Sequence, residues 1–167
     1  ARVKKMENEG YEFEGADASL DLLMRKAMGR FHPFFKTLAF HARVNQLTAE
    51  GDPVSEATVK VELPDGRIEH TVAEGHGPVD ALNAALRKAL EPTYPEIGHV
   101  HLEDFKVRIL DGKLATRAKT RVLIESSDSE ESWSTVGVSE NIISASYMAL
   151  VDSVEYKLMR ARSRAEA

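Results

Sequence analysis

The residues whose types and spacing could support chemistry include two histidines and a glycine turn. His99 and His101 lie two positions apart, which places both imidazoles on one side of a β-strand at a spacing that can bind a metal ion. No third ligand accompanies them in a recognisable pattern, so surface histidines explain the pair more simply than a metal site does. Gly75-His76-Gly77-Pro78 follows a predicted strand and opens a predicted helix, where unpaired backbone N–H groups and the helix dipole favour an anion. The alternative is that this turn only caps the helix.

The acidic residues and hydroxyls do not form a recognisable catalytic set. Acidic residues are grouped at 12 and 14, at 103 and 104, and at 128 and 130. Acid–base catalysis needs surroundings that tune the pKa values of such a pair to the reaction. A solvated surface is the simpler explanation of all three groups. Ser139, followed by Glu140 and Asn141, is typical of a helix start rather than of a nucleophile. Phosphate-loop and dinucleotide-binding motifs are missing as well, so the sequence predicts no catalytic residue and no cofactor in this chain.

The composition is that of a globular protein with a real core. The chain has 167 residues, of which 43% are hydrophobic, and no cysteine, which excludes disulfides and thiolate chemistry. The formal charge of -5 and the scattered Lys and Arg residues argue against a nucleic-acid partner. No apolar run approaches the roughly 18 residues of a membrane span, and no signal peptide opens the chain. We expect a soluble cytoplasmic protein and, since the chain runs at once into charged helix-like sequence, a piece of a longer one.

An arm over residues 1–33 precedes the rest of the chain. Its charged start is helix-compatible, and the connector 10–15 carries two aromatic residues between glycines. Residues 16–29 have apolar side chains at helical spacing, with Asp17 or Ser19 as a candidate cap. Because this amphipathic helix has little core of its own, we expect it to pack on a partner domain or subunit.

Beyond the arm, the apolar spacing changes from about 3.6 to 2, which indicates strands. Three alternating segments and then a helical one make up a predicted unit over 34–91, and the same order recurs over 98–160, followed by a tail at 161–167. Gly75 and Gly137, 62 positions apart, end the third strand of each unit in this interpretation. The sequence therefore predicts an α+β fold of two pseudo-repeated βββα units, each an antiparallel three-stranded sheet with a helix, preceded by an N-terminal linker helix. A three-stranded sheet with one helix leaves much apolar surface uncovered. Each unit therefore needs the other unit, and a second chain, to cover it.

Four segments carry a resemblance to a known family. They are Gly10-Tyr11-Glu12-Phe13-Glu14-Gly15-Ala16, Gly75-His76-Gly77-Pro78-Val79-Asp80-Ala81-Leu82, Asp111-Gly112-Lys113 and Thr135-Val136-Gly137-Val138-Ser139-Glu140-Asn141-Ile142-Ile143. Together they resemble the C-terminal regulatory domain of the 2-isopropylmalate synthase and citramalate synthase family, over nearly the whole chain. The first segment is similar to the citramalate synthase branch. The resemblance implies that 34–160 is a homodimeric regulatory domain, and that the acetyl-CoA-dependent acyltransferase chemistry belongs to a TIM barrel that this chain lacks. The resemblance therefore does not imply that His99 and His101 are metal ligands.

The resemblance also implies an effector site between units at the dimer interface. An amino acid needs N–H donors, an acceptor and an apolar wall. The residues implied are Gly75, His76 and Gly77 at the polar end, Leu102, Phe105 and Ile109 as the wall, Thr116 and Thr120 beside them, and Val138 and Glu140 closing the site. Several alignments fit the region of Thr116, and Thr120 stands where related sequences often have valine, so the preferred side chain stays open. Ordinary core is the alternative for the three wall residues.

These expectations favour a feedback sensor. The sequence predicts that the domain binds isoleucine and thereby inhibits citramalate synthase, with the helix at 16–29 passing the preferred dimer arrangement to the barrel. Leucine sensing by 2-isopropylmalate synthase is the alternative within the family. A purely structural dimerisation module is the alternative from another class, and a self-contained enzyme has the least support because no catalytic constellation is specific.

Overall fold

The computed structural model describes residues 2–46, 49–110 and 118–167. The helices are α1 (Arg2–Asn8), α2 (Asp17–Ala27), α3 (Pro78–Leu90) and α4 (Ile142–Glu166), with a short 3-10 helix at Pro95–His99. The strands are β1 (Lys36–Asn45), β2 (Val54–Glu62), β3 (Ile68–Gly75), β4 (His101–Ile109), β5 (Thr120–Ser127) and β6 (Ser132–Ser139). The predicted α+β fold of two βββα units after an N-terminal helix is confirmed. The predicted turn at Asp111-Gly112 lies outside the described residues.

The chain divides into two compact units, which we describe separately. The middle unit is the continuous segment Pro33–Gly98, and the terminal unit combines Ala1–His32 with His99–Ala167. Each contains one antiparallel sheet, ordered β1-β2-β3 in the middle unit and β4-β5-β6 in the terminal unit. Within the described residues, no helix combines the length and the apolar character needed to cross a membrane.

The middle unit buries one face of its sheet under α3. On β2, Ala57, Val59 and Val61 are fully buried and alternate with partly exposed residues, as the period of 2 requires. Leu82 and Leu86, one helical turn apart, face them from α3 and are also fully buried. Burying a leucine side chain contributes about 2 kcal/mol, so this layer stabilises the packing of α3 on the sheet.

The terminal unit buries one face of its sheet under α4 in the same way. Val122 and Ile124 of β5 are fully buried, as are Leu150 and Leu158 of α4. The other face is also covered, because Val136 and Val138 of β6 form a buried cluster with residues of the N-terminal arm, namely Phe13, Ala16 and Leu23. This sheet therefore has cover on both faces.

The arm differs from its prediction in two respects. We expected α2 to pack on a partner domain or subunit, but it packs on α4 and β6 of its own chain. We also expected Asp17 or Ser19 to cap it, whereas Ala16 is the N-cap residue and no side chain caps the helix. Ser19 is instead buried against α4, where its hydroxyl bonds Asp152. The apolar residues of α2 thus find their core within the terminal unit.

Candidate functional site

The residues predicted to bind an effector are distributed over both units. Gly75, His76 and Gly77 belong to the middle unit, and Thr116 lies outside the described residues. The others, Leu102, Phe105, Ile109, Thr120, Val138 and Glu140, belong to the terminal unit. The structure therefore describes two separate groups of candidate residues, one on each unit.

The glycine turn of the middle unit already holds a carboxylate of its own helix. Gly77 is the N-cap of α3 in an extended conformation, and Pro78 is the first helical residue. The backbone N–H of His76 donates to Asp80 Oδ2 at 2.9 Å. The anion at this turn is thus the side chain of Asp80, which lies near the positive end of the helix dipole.

A cleft of about 620 Å³ opens beside this turn. Its lining residues are Asp52, Pro53, Val54, Glu74, Gly75, His76 and Asp80. Three of them are acidic, so the local charge disfavours the carboxylate of an amino acid and favours its ammonium group. The turn is therefore better suited to a cation than to the anion first expected there.

The second turn, between β6 and α4, is also satisfied by its own side chains. Asn141 Oδ1 accepts from the N–H groups of Ile143 and Ser144 at 2.9 and 3.1 Å. Ser139 Oγ accepts from the N–H of Asn141 at 3.1 Å, so it stabilises the turn before the helix, but the N-cap residue is Asn141 and not the predicted Ser139. Glu140 between them is exposed. The side chain of Asn141 thus occupies two of the first N–H groups of α4, whereas no side chain caps α3.

The strand register changes the predicted match between the two units. Thr71 and Thr135, 64 positions apart, each donate a hydrogen bond to a helix carbonyl, of Ala85 at 2.7 Å and of Ala149 at 2.8 Å. The same spacing relates the two N-cap residues, Gly77 and Asn141. The equivalent of Gly75 is therefore Ser139, which pairs with Thr120 as Gly75 pairs with Ser55. The predicted equivalence of Gly75 with Gly137 was wrong by two residues.

The predicted wall residues share one face of the terminal sheet. Ile109 pairs with Thr120, Phe105 with Ile124, and Leu102 with Ser126. The β5 partners are buried on the α4 side, but β4 is the outer strand, and there Phe105 is 40% and Ile109 65% exposed. These two side chains are thus not part of the core within the described residues, and their exposure beside α4 is typical of a binding surface.

Val107 completes this surface, although the prediction omitted it. It pairs with the buried Val122 and is itself 41% exposed. The alternation that selects Phe105 and Ile109 also selects Val107, so the sequence did contain the signal. We call Phe105, Val107 and Ile109 the β4 strip.

Val138 lies on the opposite face of the sheet from the β4 strip. It pairs with Arg121, the neighbour of Thr120, and it packs against Phe13 of the arm. Successive side chains on a strand point to opposite faces, so Thr120 and Val138 cannot line the same wall of the terminal sheet. Sequence spacing alone could not show that the two residues lie on opposite faces, because the face of Val138 is covered by the arm, which is distant in sequence.

The middle unit has an outer strand of similar character. Phe40, Ala42 and Val44 of β1 pair with β2 residues that face α3, and Val44 is 55% exposed. Phe40 precedes Phe105 by 65 positions, and both lie after a register shift near the start of their strands. Each unit therefore has an apolar outer strand at the edge of its helix-covered face.

No metal site accompanies these surfaces in the described residues. Within 2–46, 49–110 and 118–167 no group of three or more His, Asp or Glu side chains could hold a metal ion. His101 begins β4 and is exposed. The exposed outer strands present apolar side chains and backbone hydrogen-bonding groups.

Comparison with known proteins places the chain in a family. The family model described as LeuA allosteric (dimerisation) domain matches residues 14–158. The chain is 54% identical over 156 residues to the (R)-citramalate synthase of Geobacter sulfurreducens, covering 93% of this chain and 29% of that protein. It is 52% identical over 161 residues to the (R)-citramalate synthase of Synechocystis, covering 95% and 29%, and 47% identical over 159 residues to that of Aquifex aeolicus, covering 95% and 30%. The chain spans about three tenths of the length of these curated relatives. It belongs to the LeuA allosteric (dimerisation) domain family.

Proposed function

We propose that this chain is the feedback-regulatory, amino-acid-binding domain of a citramalate synthase. In this proposal a homodimer binds isoleucine at its interface and thereby inhibits the acetyl-CoA-dependent condensation that a catalytic barrel carries out. The family match and the relatives named (R)-citramalate synthase support the regulatory role and the branch. Isoleucine is the end product that the resemblance to this branch implies.

The observation that carries the proposal is the exposed β4 strip. A branched aliphatic side chain needs an apolar wall, and Phe105, Val107 and Ile109 supply one that no described part of the terminal unit covers. β4 pairs with β5 on one side only within the described residues, so the backbone along its outer edge can bond a polar ligand group. One strand therefore combines apolar side chains with backbone hydrogen-bonding groups.

The remaining predicted residues would complete the site in different ways. Gly75, His76 and Gly77 adjoin an acidic cleft that suits an ammonium group, and Glu140 is an exposed acceptor. Thr120, which pairs with Ile109, is the residue that we propose selects among branched side chains, and the resemblance adds Thr116 to the proposed site. Val138 would act from the arm side of the sheet, by supporting Arg121 and the strand that carries Thr120.

The same apolar strip also favours the alternative of a purely structural dimerisation module. In that case a second copy would cover Phe105, Val107 and Ile109 with its own surface, and no amino acid would be needed. The two functions differ in their response to a ligand. A sensor must bind its effector with different affinity in two arrangements, whereas a structural module is indifferent to it.

Thermal unfolding in the presence of branched amino acids tests the proposal. Isoleucine at 100 times its dissociation constant should stabilise the native state by about 2.7 kcal/mol and raise the melting temperature, while valine and buffer should do so less or not at all. A stronger response to leucine would reassign the chain to leucine sensing. No response to any of the three amino acids would overturn the sensor function and leave the structural module.

Two substitutions then test the β4 strip. Phe105→Ala and Ile109→Ala should weaken isoleucine binding at least about 10-fold in calorimetric titration, because each removes apolar contact area worth at least about 1.4 kcal/mol. Ile68→Ala is the matched control, since Ile68 is an exposed strand isoleucine of the middle unit outside the strip. Unchanged affinity in folded strip variants would remove these residues from the site. In the full-length synthase, the same two variants should lose inhibition by isoleucine and keep their activity.

A further inference from the structure

Ser19 joins three elements of the terminal unit through one hydroxyl group. Its Oγ accepts from the backbone N–H of Val136 at 3.0 Å and donates to Asp152 Oδ2 at 2.7 Å. Val136 lies on β6, the outer strand of the sheet, and Asp152 lies on α4. The contact therefore holds α2 both to the edge of the sheet and to the helix above it.

Lys26 makes a second contact between the same two helices. Its Nζ donates to Glu155 Oε2 at 2.7 Å and lies 4.0 Å from Asp152 Oδ1. The same ammonium is 4.7 Å from the centre of the Phe31 ring, which restricts where it can move. Asp152 and Glu155 are thus bridged by one cation where α2 meets α4.

The charges around this cluster do not balance. The hydroxyl of Tyr11 in the connector donates to Met148 Sδ, and burial raises its pKa, so it carries no charge at neutral pH. Asp21 and Arg25 on α2 bond each other at 2.7 Å. Two carboxylates therefore share one ammonium where α2 covers α4, with the Glu155 side chain 8% and the Asp152 side chain 24% exposed, and this makes uptake of a proton favourable while α2 is seated. Burial raises the pKa of Asp152 to about 6, against the lowering effects of Ser19 and Lys26, and it also raises the pKa of Glu155.

We propose that Ser19, Lys26, Asp152 and Glu155 form a proton-dependent latch that holds α2 on α4 and β6 and loosens as the pH rises. When α2 leaves, Asp152 and Glu155 meet water and their pKa values return toward the ordinary range. The seated state thus binds the proton more tightly than the released state. Its extra stability is present at acid pH and is lost as the pH rises through about 6, by up to about 100-fold in the seating equilibrium. This inference does not depend on which amino acid the domain binds.

Trp133 provides a natural reporter for this latch. It is the only tryptophan of the chain, it is 5% exposed, and it packs in a buried cluster with Ala18 of α2. Its indole N–H bonds Ser153 of α4, so the ring stays on α4 when α2 moves. Release of α2 would expose one side of the ring to water, which shifts its fluorescence emission to the red and makes it easier to quench with acrylamide.

The experiment is a fluorescence titration of the full chain from about pH 3.5 to about pH 8, with circular dichroism to confirm that the fold is kept. The wild type should shift to the red as the pH rises from about 4 to about 6, and Asp152→Asn should remove this transition because its amide cannot titrate. The readout is the difference between the two proteins, since all other ionisable groups are the same in both. Asp21→Asn, a matched change outside the latch, should titrate like the wild type.

Two results would overturn the latch. One is a wild-type emission that does not change with pH, and the other is the same transition in a folded Asp152→Asn protein. If Asp152→Asn does not fold, Glu155→Gln decides the question. Removal of that like charge should move the transition to lower pH, and an unmoved midpoint would count against the proposal.

Discussion

Gly137 and Ala145 approach so closely that a Cβ atom on Gly137 would lie 2.0 Å from the carbonyl oxygen of Ala145. Gly137 is inside β6 and Ala145 is in the first turn of α4, and both are buried. A backbone carbonyl cannot turn aside as a flexible side chain can. The glycine therefore sets the distance between α4 and the sheet, and it has no part in the turn.

Substitution of Gly137 by alanine should destabilise the protein strongly. Gly137→Ala forces α4 away from the sheet and should lower the free energy of unfolding by about 3 kcal/mol, measured by urea unfolding with circular dichroism. Gly77→Ser is the control, because a Cβ atom at Gly77 meets nothing within 4 Å and serine is a good N-cap residue. A loss below about 1 kcal/mol in Gly137→Ala would contradict the close approach.

The pseudo-repeat could be predicted from the sequence, but its register could not. Apolar alternation located all six strands, since side chains on a half-buried strand repeat with period 2. The equivalence of Gly75 with Gly137 rested on glycine identity beside a helix start. Those glycines serve different contacts, with Ala81 and with Ala145. The true match follows from the hydrogen bonds of Thr71 and Thr135, from the two N-cap residues and from the strand pairing.

The candidate site could be predicted only as far as strand periodicity allows. Alternation placed Phe105 and Ile109 on one face, and the resemblance selected that face. Periodicity does not show which face of a sheet is covered from elsewhere in the chain, so it could not predict the position of Val138 beneath the arm. Periodicity could not predict the partners of Ser19 either, because Asp152 follows more than a hundred residues later.

Asp80 should stabilise the start of α3. Its carboxylate accepts from the His76 N–H and lies near the positive end of the helix dipole, so Asp80→Ala should cost about 1 kcal/mol of unfolding free energy in urea. Asp52→Asn is the control, since it removes a charge from the same cleft at an exposed position. Equal stability losses in the two variants would mean that the cleft charge matters and the cap does not.

Arg121 should fix the connector of the arm. Its Nε donates to the carbonyl of Gly10 at 2.8 Å, and its NH1 group forms an ion pair with Glu12, while the arginine side chain is only 16% exposed. Arg121→Ala should therefore cost about 2 kcal/mol and speed hydrogen exchange in peptides that cover residues 9–15. Arg43→Ala breaks the exposed ion pair with Glu56 and should cost less than about 0.5 kcal/mol. Unchanged exchange in Arg121→Ala would show that apolar packing alone holds the connector.

Asp128 ties the β5–β6 hairpin to the last turns of α4. Its Oδ1 accepts from the N–H groups of Glu130 and Glu131, and its Oδ2 forms an ion pair with Lys157. Burial would raise the pKa of Asp128, but the hydrogen bonds from Lys157 and Glu131 outweigh it and hold the pKa below its usual range. Asp128→Asn keeps the backbone contacts and loses the ion pair, so it should destabilise the protein at neutral pH by about 2 kcal/mol.

The pH dependence of this pair is the opposite of that of the latch. A carboxyl group whose pKa is lowered by folding contributes stability above its unfolded pKa of about 4, and this stability is lost as the pH falls through the folded pKa. Urea unfolding at about pH 7 and about pH 3 should therefore show a smaller acid-induced loss in Asp128→Asn than in the wild type. Asp104→Asn, which breaks the exposed pair with Lys106, should change this difference less. An acid-induced loss as large in Asp128→Asn as in the wild type would mean that other carboxylates govern acid unfolding.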